Sequence, residues 1–197
     1  MKKLNVVLTL TEEILGTASS NAEIHSEFIA SKAPDAKSRD EEIAAIGADK
    51  VEEKTMTIFH RHENKPILFD YQIKGFFKDA CSSLMRVPGT KSKELKAYKK
   101  VIDGTIFVEP RMIPFDIPNG QTIGNCQRPL RAQTAQGERI ALANSETIPA
   151  GTKIKFTVNL LDGKSEGVVL EWLEYGQLRG LGQWRNSGKG RFTFEVV

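Results

Sequence analysis

The residues best suited to chemistry in this chain are basic side chains set among glycines, in the run Arg179-Gly180-Leu181-Gly182-Gln183-Trp184-Arg185-Asn186-Ser187-Gly188-Lys189-Gly190-Arg191-Phe192. Two Gly-x-Gly pairs let a backbone pass close to another large group, and Arg179, Arg185, Lys189 and Arg191 give that group a reason to be anionic. The spacing therefore points to contact with an anion such as phosphate, with Trp184 between the pairs as the more exposed of the two tryptophans. A tight connection into a final strand would use the same glycines but would have no need of the arginines.

Other basic groups fall elsewhere. Lys74 and Lys78 stand four apart around Gly75, off the apolar stripe of a predicted helix, where they contact nucleic acid or form a solvated face. Arg128, Arg131 and Arg139 are interleaved with Gln127, Gln133, Thr134 and Gln136, a mixture suited to backbone contacts or to an ordinary polar loop. His60 and His62 could act as general bases, but no partner acid or metal-ligand spacing accompanies them, and they read as surface or strand-end histidines. His25, Asp35 and Asp40 take no assigned role. No catalytic residue, metal site or cofactor is predicted.

Composition limits the function classes. The formal net charge is only +3, from 28 basic and 25 acidic residues, so a nucleic-acid role has to rest on distribution rather than bulk charge. Acids are frequent from Glu12 to Glu63, whereas Arg111 to Lys155 and Arg179 to Arg191 are mainly basic. No run approaches the ~18–20 apolar residues of a membrane span, and the N-terminal stretch is interrupted by Asn5, Thr9 and Thr11, as a strand would be. Two cysteines, Cys81 and Cys126, make no disulfide framework, which predicts a reducing cytoplasmic setting.

The elements that must position these residues follow from periodicity. Leu4, Val6, Leu8 and Leu10 alternate as a half-buried first strand. Residues 23–29 and 40–47 look helical, and Thr55 to Arg61 suggests a strand. After the turn at Glu63-Asn64, Asp70 is placed to cap a helix whose stripe is Ile73, Phe76, Phe77, Ala80, Cys81 and Leu84. From about residue 86 to 150 the pattern loosens around a lysine-rich stretch and Pro88, Pro110, Pro114 and Pro118, relieved by a strand at Gly104 to Val108; this predicts an insertion that projects from the core. Lys153 to Leu160 alternates as a strand, Leu170 to Leu178 is helical with Trp172 in the core, and Phe192, Phe194 and Val196 share one face of a final strand. The order suits an α+β domain with helices on one face of an antiparallel, ferredoxin-like sheet.

Three segments, in order, resemble the RAMP superfamily, which includes the guide-RNA-binding backbone subunits and processing nucleases of CRISPR systems. The run from Gly180-Leu181-Gly182 to Gly188-Lys189-Gly190-Arg191-Phe192 is similar to the glycine-rich loop before that family's last strand. Lys65-Pro66-Ile67-Leu68-Phe69-Asp70-Tyr71-Gln72-Ile73-Lys74-Gly75 resembles its Lys-Gly helix entry, with Phe69-Asp70-Tyr71 standing where the family has small residues. Glu138-Arg139-Ile140-Ala141, leading to Ile148-Pro149-Ala150-Gly151-Thr152-Lys153, resembles the end of its inserted thumb.

The resemblance implies one RRM-like domain over residues 1–197, with a thumb at about 86–150. It also implies a groove for single-stranded RNA, or single-stranded DNA, between the glycine-rich loop and the lysine-bearing helix, and assembly with copies of itself or with other RAMP subunits. Two other readings belong to different classes: a RAMP-type endoribonuclease, and a structural mimic or inhibitor of a CRISPR complex encoded by a mobile element.

Overall fold

In the computed structural model, residues 1–20, 56–134, 137–163 and 165–197 are described; the segments expected to be helical at 23–29 and 40–47, together with His25, Asp35 and Asp40, lie outside them. In chain order the elements are β1 (Lys2–Leu10), β2 (Ile14–Leu15), β3 (Ala18–Ser19), β4 (Met56–Ile58), β5 (His60–His62), β6 (Lys65–Phe69) and α1 (Asp70–Leu84). There follow α2 (Tyr98–Thr105), β7 (Ile106–Glu109), β8 (Met112–Asp116), β9 (Gly124–Thr134), β10 (Gly137–Ile148), β11 (Lys153–Leu160), α3 (Glu166–Arg179) and β12 (Phe192–Val196).

The main sheet runs β12-β1-β11, with β7 and β8 in succession along the far side of β11, then β6 and β5. With α1 between β1 and β7, and α3 between β11 and β12, this is the ferredoxin-like arrangement: two interlocked strand-helix-strand units in an antiparallel sheet. The alternation in β1 has its expected effect, since Leu4, Val6, Leu8 and Leu10 are all buried. They meet the stripe of α1, the α3 residues Val169, Trp172 and Leu173, and Ile154, Phe156 and Val158 of β11. Cys81 is buried in this core, as its place on the stripe predicted, while Cys126 is partly exposed and both thiols are free.

Local chemistry explains the boundaries. Asp70 is the first helical residue of α1 rather than its cap; Phe69 holds that position, and its amide donates to Gln72 Oε1 at 2.8 Å. Glu63 and Asn64 both adopt left-handed backbone, which turns β5 back onto β6 in a two-residue hairpin. The Glu171 carboxylate of α3 accepts from the amides of Lys91 and Ser92 and from the Ser92 hydroxyl, which in turn accepts from Trp172 Nε1 at 2.9 Å. Burial works to raise the Glu171 carboxyl, but these hydrogen bonds and the Lys91 charge outweigh it and hold the group below the usual carboxylate range.

Residues 86–150 divide. Ile102 of α2, Ile106 and Val108 of β7, and Ile113 and Phe115 of β8 belong to the main core, so the part read as an insertion is integral as far as β8. Gly104 and Thr105, expected to open a strand, close α2 instead, and the strand begins at Ile106. What leaves the main sheet is the long β9–β10 hairpin, whose base joins β2, β3 and β4 in a second sheet.

The expected strand at Thr55 to Arg61 also divides, at Phe59. β4 lies parallel to β10 in the second sheet, and β5 pairs with β6 in the first. The Phe59 ring packs edge-on to Phe115 at 5.2 Å, while its amide donates to Glu146 of β10 at 2.9 Å; the same carboxylate pairs with Arg61.

Candidate nucleic-acid interface

The glycine-rich loop leaves α3 at Gly180 and returns on itself before β12. Leu181 is buried, its amide donates to the Gly190 carbonyl at 2.9 Å, and the Gly190 amide donates to the Glu13 carbonyl at 2.8 Å. Gly180 and Gly190 have φ of +78° and +71°, and a Cβ on either would strike the backbone of the opposite limb. The close approach read from the sequence is thus, at these two positions, an approach of the chain to itself. Gly182 sits against Ile14 and Leu15 of β2, and Gly188 ends a short turn over Arg185–Ser187.

The basic side chains of the loop also have internal partners. Asp79 of α1 receives both Arg179 Nε at 3.4 Å and an Arg185 terminal nitrogen at 2.7 Å, and Arg179 donates to Asn186 at 2.8 Å. Lys189 donates to Glu13 at 2.6 Å, and that hydrogen bond holds its ammonium above the usual lysine range. Arg191 donates to the Leu178 carbonyl at 2.9 Å. A guanidinium has five N–H donors, so each arginine retains donors for a further acceptor.

Arg128, far away in sequence, reaches the same loop. It is buried on β9, donates to Ser145 Oγ and Gln183 Oε1 at 3.2 Å each, and lies 5.1 Å from the centre of the Trp184 ring. Trp184 is 41% exposed. The Gln183 amide nitrogen completes the link by donating to the Gly16 carbonyl at 2.8 Å. Arg131 and Arg139 lie farther out along the hairpin, where Arg139 pairs with Ala132 and Arg131 with Ile140; their side chains are outside the described residues.

Between α1, residues 14–17 and the loop is a cleft of about 410 Å³ with an apolar floor including Leu15, Phe76 and Leu181, and a rim of Gln72, Gly75, Asp79 and Arg185. A cleft therefore lies between helix and loop, and Gly75 lines it. Lys74 and Lys78 do not. They occupy the opposite flank of α1, where Lys74 Nζ donates to the Asp103 carbonyl at 3.2 Å and sits 5.1 Å from the Phe107 ring centre, and Lys78 pairs with the Asp103 carboxylate at 2.6 Å. Burial lowers the Lys74 ammonium below its ordinary value, against the pull of Asp103.

Sequence reasoning missed Asp79 as the anchor of two loop arginines. The available signal was an acid on the helix flank facing away from Lys74 and Lys78, in a chain whose loop is basic. His60 is buried, with its ring edge-on to Phe69 at 4.9 Å, whereas His62 is exposed. Among the described residues, no group of three or more His, Cys, Asp or Glu side chains could hold a metal ion, and no helix is long and apolar enough to cross a membrane.

No protein-family model and no curated protein matches this sequence. Solved structures do match. A chain in the cryo-EM structure of the type III-B Cmr-beta bound to cognate target RNA aligns over 100% of the present chain with a TM-score of 0.57 and 12% identity. The fold is shared with that chain. The present chain spans 61% of the length of that neighbour. A chain of a type IV-B CRISPR complex aligns over 100% of the present chain and 90% of its own, with a TM-score of 0.48 and 12% identity.

Proposed function

We propose that this chain binds single-stranded RNA along the cleft between α1 and the glycine-rich loop, as a non-catalytic subunit of a CRISPR-type complex built with further copies or with other RAMP-like subunits. The observation that carries the reading is Gly75. A glycine inside a helix costs roughly 0.5–1 kcal/mol relative to alanine, yet a Cβ at Gly75 would meet nothing within 4 Å among the described residues. Its absence leaves the helix backbone open on the cleft side, facing Arg185 and the loop, where a sugar-phosphate chain can lie close. The fold shared with a chain of an RNA-bound assembly supports the same reading.

The test separates folding from binding. Gly75→Ala is expected to stabilise the protein by roughly 0.5–1 kcal/mol in chemical denaturation while weakening single-stranded RNA binding severalfold, as read by fluorescence anisotropy. Arg185→Ala with Arg191→Ala should lower affinity and flatten the dependence of log K on log salt, by about 0.7 for each phosphate no longer neutralised. Unchanged affinity in both variants would overturn the reading, and single-stranded DNA of the same sequence measures the contribution of the 2′-hydroxyl.

A second reading, a mimic that occupies the place of such a subunit without gripping nucleic acid, is favoured by the internal pairing of Arg179, Arg185 and Lys189. Purified protein free of bound nucleic acid, with no affinity for RNA at low salt, would decide for it.

A further inference from the structure

Among the described residues, Arg128 is the one lysine, arginine, aspartate or glutamate that is buried, at 7% exposure. Its contacts are neutral: the Ser145 hydroxyl, the Gln183 side-chain carbonyl and the Trp184 ring. Its Nε is buried with no hydrogen-bond partner. Two nearby acids among the described residues are already paired, Glu146 with Arg61 and the Phe59 amide, and Glu13 with Lys189. A buried guanidinium without a counter-charge is an expensive arrangement, and a cation–π contact with neutral hydrogen bonds replaces only part of the lost hydration.

The group covering it is strained as well. Trp184 holds φ 53° and ψ 34°, left-handed backbone that a bulky side chain rarely adopts. The opposite side of the hydrogen-bonded pair is anchored, because Ser145 is fixed by Thr57 at 2.7 Å and Gln183 by the Gly16 carbonyl. Arg128 is therefore held in place while its aromatic cover sits in a disfavoured conformation, partly exposed to solvent.

We propose that Arg128 is a phosphate-binding residue and that Trp184 is its movable cover. In the arrangement seen here, the ring lies over the guanidinium. When a phosphate group arrives, Trp184 leaves its left-handed conformation, the phosphate takes the exposed face of the guanidinium as counter-ion, and the Gln183 and Ser145 contacts keep that guanidinium in place. The phosphate is assigned to a nucleic-acid strand, and that assignment alone rests on the RNA-binding reading; the anion site does not.

Two probes, oligouridylate of about ten nucleotides and inorganic phosphate, test this on the full chain. Trp172 is wholly buried, so acrylamide quenching of the tryptophan emission reports mainly on Trp184. Saturating oligouridylate should raise the quenching about twofold. Arg128→Gln should reduce oligouridylate affinity about tenfold while melting at or above the wild-type temperature, because it removes an uncompensated charge. Trp184→Gly, which relieves the strain and uncovers the site, should bind inorganic phosphate severalfold more tightly than wild type.

Equal oligouridylate affinity in wild type and Arg128→Gln, with quenching unchanged, overturns the site and leaves the RNA-binding reading standing. No oligouridylate binding, with phosphate raising the melting temperature of wild type but not of Arg128→Gln, keeps the site for a free anion and overturns the RNA-binding reading instead. If Arg128→Gln does not fold, Trp184→Gly decides: no gain for phosphate overturns the proposal.

Discussion

The two sides of the glycine-rich loop meet positive charge in opposite ways. Toward α1, Arg179 and Arg185 share the Asp79 carboxylate, so charge there fastens the loop to the helix. Toward the β9–β10 hairpin, Arg128 reaches in, and its partners among the described residues are neutral. A basic composition therefore does not by itself mark a binding residue. A guanidinium matched by an internal carboxylate is chiefly scaffold with spare donors, whereas one buried among neutral partners has a charge that an outside anion could match, as proposed for Arg128.

This contrast is tested most severely at the backbone of the loop. Gly190→Ala forces a Cβ against Leu181 at positive φ, and it should destabilise the protein by roughly 3 kcal/mol, measured as a lowered denaturation midpoint; near-wild-type stability would show that the two limbs are not in contact. Asp79→Ala should have a smaller effect, about 1 kcal/mol, since its ion pairs are partly solvated. It should also strengthen RNA binding by freeing Arg185, and a loss of affinity would place Asp79 among the groups that hold the strand. Smallest of all, Lys74→Met should change stability by no more than about 0.5 kcal/mol and leave RNA affinity within a factor of two, because that flank of α1 faces Asp103 and Phe107. A tenfold loss would move the interface to the other side of the helix.

Much of the frame was legible from periodicity. β1, α1 and β11 each carry an unbroken apolar pattern, because each buries one face against the same core. The middle of the chain was harder to read. β7 was visible as a strand but with its start placed inside α2, whereas β8, five residues long with Pro114 within it, is too short to alternate visibly, and α2 buries only Ile102, so its lysines dominated the reading. Within the candidate site, the glycine loop stood out by residue type and spacing, and Gly75 through the resemblance of the Lys74-Gly75 helix entry. The contact of Arg128 with the loop and the anchoring of Arg185 by Asp79 were hidden, because they depend on which side chains meet across more than fifty and a hundred residues of sequence, respectively. Lys74 and Lys78 show the converse: helical spacing gave their flank, and only the packing of α2 revealed that this flank turns away from the cleft.

One junction bears on how force would pass through the molecule. Phe59 sits where β4 of the second sheet gives way to β5 of the first, with its ring in the main core and its amide held by Glu146 of the hairpin. Beside the direct chain connection from β10 to β11, a load applied along the hairpin is therefore passed through Glu146 and Phe59 into the body of the domain. The hairpin acts as a lever with its fulcrum inside the core, and a neighbour pulling on its outer end would apply torque to the same body that carries the cleft.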